Sequence, residues 1–372
     1  MLLLLLATTF AALVGEIALR LFVPPVEPLG RLSYADGDGK PVTREDAVGR
    51  GLIVPLTAPR PMNRPRLMFA PGQRFYLCYT DNDRLRRDWL DAEGRVEVRI
   101  NRFGLRERDE IMPDKPPGQR RIVCIGDSFT FGWGIPEEMG WVRGLERELR
   151  KSGDDWRTVN CGAAGTVCVD EYWWGLKERF HVFQPDAVIL TICLNDLIPS
   201  SGLNVIGPQP KSTGSRLLDL VRSAFTKNPL DLDPGFDWVG ALLALPKAEG
   251  EAAGLYDPTD KPFEAMWSQG VPQSSLREAK VWCEARRVPL LVVLWPFLQG
   301  LGPGRHYPFT KLHELVAADC AAAGIPLLDV LPALRDHDDE ELWVTPADQH
   351  PNPRAEQLAL PAIVGYAKAH LR

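Results

Sequence analysis

The sequence predicts an α/β fold with a central parallel sheet and helices on both faces, preceded by a small N-terminal β-containing extension. Three observations carry this. From residue 121 onward, short apolar runs alternate with amphipathic stretches of helical period. One run, AVILTIC at 187–193, is apolar on both faces, as a central parallel strand must be. Residues 25–118 read differently, with proline-rich stretches such as APRPMNRPR at 58–66 that suit neither a helix nor a central strand.

The elements follow in order. The chain opens MLLLLLATTFAALVGEIALRLFVPP, and residues 2–14 hold only apolar residues and threonine. A helix continued to Val23 would be long enough to span a bilayer, so residues 1–24 are read as an uncleaved membrane anchor. A cleaved signal segment and a buried helix are the alternatives. Glu16 and Arg20, four apart, would share one helix face. In the accessory extension, 25–118, QRFYLCYT (73–80) and VEVRI (96–100) are strand candidates. Gly-Asp-Gly at 37–39 and Glu-Gly at 93–94 mark turns, and DKPPGQR at 114–120 reads as a linker.

The main domain, 119–372, starts with strand RIVCI at 121–125 and an amphipathic helix over 137–150. Strand WRTVNC (156–161), helix 169–182 and strand 187–193 come next. After them stand helix 274–287, strand 289–295, helix 309–324, strand 325–330 and a last helix over 354–371. Residues 200–273 interrupt the alternation as an insertion with one apolar helix candidate, SRLLDLVRSAF at 215–225; a segment this long is read as a possible lid.

Composition narrows the function. With 372 residues, 45% of them hydrophobic, the chain can bury a large core. A net charge of −6 and the lack of a basic stripe argue against a nucleic-acid partner. The seven cysteines match no zinc spacing and include no CxxC, so no metal is expected. Their odd number and apolar settings indicate free thiols, although Cys161 and Cys168 lie close enough in sequence to pair. GDSFTFGWG lacks the Lys-Ser/Thr of a phosphate loop, and no other cofactor motif is present. The 11 tryptophans fit core packing first; Trp133, Trp173 and Trp174, which follow the site segments, are candidates for a sugar platform.

In a doubly wound sheet, ligands bind at the carboxyl ends of the strands. The polar residues just past the predicted strands are Gly126-Asp127-Ser128, Gly162 and Gly165, and Asn195-Asp196; Asp348 and His350 stand just before the last helix. Ser128 alone could be a helix cap. A serine nucleophile needs a base. Among the six histidines, His181 and His313 fall on predicted helices, His370 at a chain end, His337 in an acidic run and His306 in a Gly/Pro loop. His350 is favoured, with Asp348 two residues away to orient its ring. Ser128 N–H, Gly165 N–H and the Asn195 amide are candidate donors to an oxyanion.

Gly-Asp-Ser at 126–128, Asn-x-Gly-x-x-Gly at 160–165, Asn-Asp at 195–196 and Asp-x-His-Pro-Asn at 348–352 resemble the four blocks of the SGNH/GDSL hydrolase superfamily, in order, over residues 119–372. The resemblance implies a flavodoxin-like three-layer α/β/α sandwich and ester hydrolysis without a metal or other cofactor. By position it makes Ser128 the nucleophile, His350 the base, Asp348 its partner, and Ser128, Gly165 and Asn195 the oxyanion hole. Two departures stand out: Cys193 replaces the usual glycine of the third block, and the last block is Asp-x-His, with Ala at 347. That spacing is similar to SGNH-like enzymes that add or remove acetyl groups on bacterial polysaccharides. The expectation is therefore a serine esterase acting on a small-molecule or glycan-linked ester. It would be held to a membrane through its N-terminal segment, with the main domain outside the cytoplasm. The alternatives are an O-acyltransferase acting on a cell-surface polysaccharide and, third, a non-catalytic binding module.

Overall fold

The computed structural model describes residues 2–22, 33–42, 46, 50, 71–79, 87–153, 155–163, 167–197, 215, 217, 218, 221, 267, 270–307, 309–345 and 348–371, with side chains except at 2–10 and 33. Helix α1 covers Leu2–Phe22. The expected Glu16–Arg20 pair forms, at 2.7 Å. Glu16 also accepts from Ser215 Oγ at 2.9 Å and Leu217 N at 2.8 Å, fastening α1 to the insertion. The membrane-spanning reading of this segment gains no support: among the described residues no helix is long and apolar enough to cross a membrane. Most of the insertion at 200–273, and with it the lid reading, lies outside the described residues.

The extension contributes four strands: β1 (Ser33–Asp36), β2 (Pro41–Val42), β3 (Arg74–Cys78) and β4 (Arg95–Arg99). They form an antiparallel sheet in the order β2-β1-β3-β4. Burial alternates along β3 and β4, placing Phe75, Leu77, Val96 and Val98 on one inner face. Of the β1–β2 hairpin only the turn has a sequence signal, because two such short strands carry too little periodicity to count.

The main domain begins with β5 (Arg120–Gly126), the one-turn helix α2 (Ser128–Phe131) and α3 (Trp141–Arg150). It continues through β6 (Trp156–Gly162), α4 (Val169–Glu178), β7 (Ala187–Cys193), α5 (Val271–Glu284) and β8 (Leu290–Trp295). Then come α6 (Thr310–Ala322), β9 (Leu327–Asp329), α7 (Leu331–Leu334), the hairpin β10 (Trp343–Thr345) and β11 (Asp348–Pro351), and α8 (Pro353–His370). Strands β5–β9 make a five-stranded parallel sheet ordered β6-β5-β7-β8-β9. That is the flavodoxin-like order, with its switch point between β5 and β7. Helices α3 and α8 pack together on one face, α4 and α5 on the other, and α6 lies against β9. The expected three-layer α/β/α sandwich is the observed fold.

Local chemistry explains where the elements differ from expectation. The helix read over 137–150 breaks at Gly140, whose ψ of 153° is extended. Glu356 of α8 there accepts from Trp141 N at 2.8 Å, taking the place of a side-chain cap. The segment read as a linker is fixed to the sheet: Lys115 pairs with Asp186 at 2.6 Å, and Arg121 donates to the Pro113 and Phe183 carbonyls. All seven cysteines are free, Cys161 and Cys168 included.

Residues 101–112 cross from the small sheet onto the large one. Asn160 N donates to Glu107 Oε1 at 2.7 Å. The Arg143 guanidinium pairs with Glu107, with Glu137 at 3.0 Å and with Glu146 at 3.0 Å. Burial pushes Glu107 up to about 7 despite the facing arginines. A charge this deeply placed tolerates no missing partner, so the cluster fixes how the extension seats on β6.

Candidate active site

Ser128 sits at the carboxyl end of β5, beside the switch point. Two glycines make its position possible. A Cβ on Gly126 would lie 2.2 Å from Thr130 Oγ1 and 2.9 Å from the Thr191 carbonyl; one on Gly162 would lie 2.2 Å from Phe131 N. The first turn of α2 therefore packs directly on the ends of β6 and β7, which only hydrogen at these positions allows. The capping question is settled by the preceding residue. Asp127 is the cap and accepts from Phe129 N at 2.9 Å, so Ser128 begins the helix; its hydroxyl lies 3.4 Å from Asp127 Oδ2 and has a nearer partner.

That partner is His350. Its Nε2 lies 2.9 Å from Ser128 Oγ, across 222 positions of sequence. Its Nδ1 lies 2.6 Å from Asp348 Oδ1. Both belong to β11, and the two-residue spacing of a strand puts them on the same face. The carboxylate is wholly buried, whereas 26% of the imidazole side chain is exposed. Burial works to raise the Asp348 pKa, but the adjoining His350 and the hydrogen bonds it receives overcome this and hold it below the usual value. The β10–β11 hairpin that presents the pair went unread in the sequence, since its strands are only three and four residues long.

The expected oxyanion donors stand as follows. Ser128 is in place. Asn195, in the 3-10 turn after β7, points its Nδ2 at Asp127 Oδ2, 3.4 Å away. Gly165 lies outside the described residues. Cys193, in place of a glycine, is accommodated because its N–H donates to Asp196 Oδ2 at 2.8 Å and its side chain is buried. Burial raises Asp127 to about 6 and pushes Asp196 well above the carboxylate range, with Asp127 adding to the effect on Asp196.

Phe129, Phe131 and Trp133 are core residues, exposed by 7% or less. The rings of Phe129 and Trp133 each lie 6.1 Å from that of His350 and wall it in. Trp173 is half-buried and meets Trp282 edge-on at 6.5 Å. Among the other histidines, His181, His306 and His370 are exposed. Among the described residues no cluster of His, Cys, Asp or Glu could hold a metal ion.

One contact was not read from the sequence. Tyr79, just past β3 in the extension, donates its hydroxyl to Asp348 Oδ2 at 2.8 Å. A lone tyrosine in an amphipathic strand carries no signal for this; the alternation of 73–80 could only have put it on the buried face.

Residues 124–358 match the family model of the GDSL-like lipase/acylhydrolase family. Solved structures with a similar fold include a lipase/acylhydrolase from Enterococcus faecalis, 14% identical over 68% of this chain and 96% of that one, with a TM-score of 0.36. An acetylxylan esterase from Geobacillus stearothermophilus, crystallised as a catalytic mutant, is 14% identical over 68% and 96%, with a TM-score of 0.39. No curated protein sequence matches the chain.

Proposed function

The chain belongs to the GDSL-like lipase/acylhydrolase family, and from that premise we propose that it is a serine ester hydrolase working through Ser128, His350 and Asp348. The observation that carries this reading is the continuous line from Asp348 Oδ1 through the imidazole to Ser128 Oγ, at 2.6 and 2.9 Å.

Ser128 Oγ attacks the ester carbonyl while His350 Nε2 takes its proton. The imidazolium is steadied by the Asp348 carboxylate, which stays ionised. Ser128 N–H, Gly165 N–H and the Asn195 amide receive the negative oxygen of the tetrahedral intermediate. His350 returns the proton to the departing alcohol, leaving an acyl-serine. Water then attacks the acyl-serine, giving up a proton to His350, and the acid leaves as Ser128 recovers its hydrogen. No step calls on a metal or other cofactor.

Ser128→Ala is expected to lower kcat on a short-chain aryl ester by at least about a thousandfold. Wild-type turnover by that variant would remove the scheme. The same acyl-serine could pass its acyl group to a sugar hydroxyl. Mass spectrometry on reactions containing an acyl donor and an acetylatable glycan separates the two fates: free acid supports hydrolysis, acylated glycan the O-acyltransferase. A location outside the cytoplasm belongs to this proposal through the apolar N-terminal segment alone.

A further inference from the structure

The extension does more than cover the sheet. Its inner face and the segment after Ser128 form one apolar cluster: Phe75, Leu77, Val96 and Val98 pack with Phe131, Trp133, Ile135 and Val344. Polar contacts run alongside. Buried Arg106 donates to the carbonyls of Phe131, Gly132 and Ile135. Trp89 Nε1 donates to the Gly134 carbonyl at 3.2 Å, and Arg87 to the Val344 carbonyl at 3.2 Å. The extension thus holds both the loop following Ser128 and the hairpin carrying His350.

At the centre of this contact is Tyr79. Its ring is 4% exposed, within the shared cluster. Gly134, at φ +77°, leaves the room for its hydroxyl: a Cβ there would stand 2.6 Å from Tyr79 Oη. Asp348 Oδ1 faces the imidazole, and among the described residues Tyr79 is the donor to Oδ2. A buried carboxylate oxygen without a donor is costly, and a carboxylate free to turn would carry the imidazole with it.

We propose that Tyr79 is a positioning residue of the active site, through which the N-terminal extension fixes the rotation and charge distribution of Asp348 and hence the basicity of His350. This rests on the Ser128–His350–Asp348 reading above. The hydroxyl draws carboxylate charge away from the imidazole, so its loss should make His350 more basic as well as less well aligned. Burial, first, and the Asp348 carboxylate beside it keep the phenol itself neutral, well above its ordinary range. The other titratable or charged groups facing the cluster are Asp127 toward His350, and Tyr34 and Arg106 toward Tyr79.

The test uses the full chain. Tyr79→Phe keeps the ring and removes only the hydroxyl. On a short-chain aryl ester it is expected to lower kcat about ten- to a hundredfold with KM within about twofold. The acidic limb of its kcat/KM profile should move to higher pH by about half a unit or more. 3-Fluorotyrosine in place of Tyr79, a stronger donor of the same shape, should move that limb the opposite way. Leu77→Ala, in the same cluster but away from the carboxylate, should lower Tm and leave the limb where it is. An unmoved limb and wild-type kcat in Tyr79→Phe would overturn the proposal; should that variant not fold, an unmoved limb in the fluorotyrosine protein does so. An equal limb shift in Leu77→Ala also overturns it, by showing a general loosening. Ser128→Ala in the same assay keeps the two readings apart: its activity bears on the nucleophile, not on Tyr79.

Discussion

Two aspartate–histidine pairs lie near the carboxyl ends of the parallel strands, and they are built in opposite ways. Asp348–His350 meets Ser128; Asp329–His313 joins the end of β9 to the first turn of α6. In the first, the carboxylate is fully buried and the ring reaches outward. In the second, the ring is 3% exposed and the carboxylate 31%. The separations are similar, 2.6 and 2.9 Å. His313 Nε2 is buried and meets no hydrogen-bond partner among the described residues, and its ring packs against Tyr307 at 5.8 Å. Asp329 also accepts from Leu331 N at 2.9 Å, an Asx-turn bond at the entry to α7. A short Asp–His contact therefore does not make a base. The ring must have its second nitrogen aimed at the group that loses a proton, and a path by which that proton can move on.

Exchanging the roles by mutation gives the largest expected contrast. His350→Gln should lower kcat by about a thousandfold or more, while His313→Gln should leave kcat within about threefold and lower unfolding stability by about 1–3 kcal/mol. Steady-state kinetics and urea denaturation of both variants read this directly. Comparable kinetic losses in the two would break the distinction.

The carboxylates come next. Asp348→Asn is expected to lower kcat by about a hundredfold to ten-thousandfold, by leaving the imidazole in the wrong tautomer and its charge unsupported. Asp329→Asn should change kcat by less than about twofold and lower stability by about 1 kcal/mol, the scale of one weakened hydrogen bond.

The smallest effect is in acid. Because the folded state holds Asp348 below its usual value, its contribution to stability is present above about pH 4 and is lost as pH falls through the lowered folded value. Wild type should therefore lose more stability than Asp348→Asn between pH 5 and pH 3. Denaturation midpoints at the two pH values measure it, and parallel losses would count against a stabilising role for the ionised pair.

Much of the site was legible because its residues stand at strand ends. Ser128 and Asn195 follow strands marked by unbroken apolar runs, and His350 stands out by its place before a helix start with Asp348 two residues away. His313 stands on a helix, as its sequence context indicates, and its pairing with Asp329, sixteen positions away, has no sequence signal. The extension was less legible. Its strands β3 and β4 alternate clearly, but β1–β2, like the β10–β11 hairpin of the main domain, is too short to show a period, and Tyr79 looks like any aromatic on a strand.

By itself the sequence determined a parallel sheet alternating with helices, and it singled out Ser128, Asp348 and His350 as the candidates at its ends. These depend on periodicity and on residues placed next to the elements that carry them. Only the tertiary structure decided that the extension packs against the loop after Ser128 and the hairpin carrying His350. It brings Tyr79 to Asp348 across 269 positions and packs Arg106 beneath the loop after Ser128. It also decided which Asp–His pair meets a serine hydroxyl. Those outcomes turn on which groups are buried together, and burial is a property of the packed molecule that no local pattern encodes.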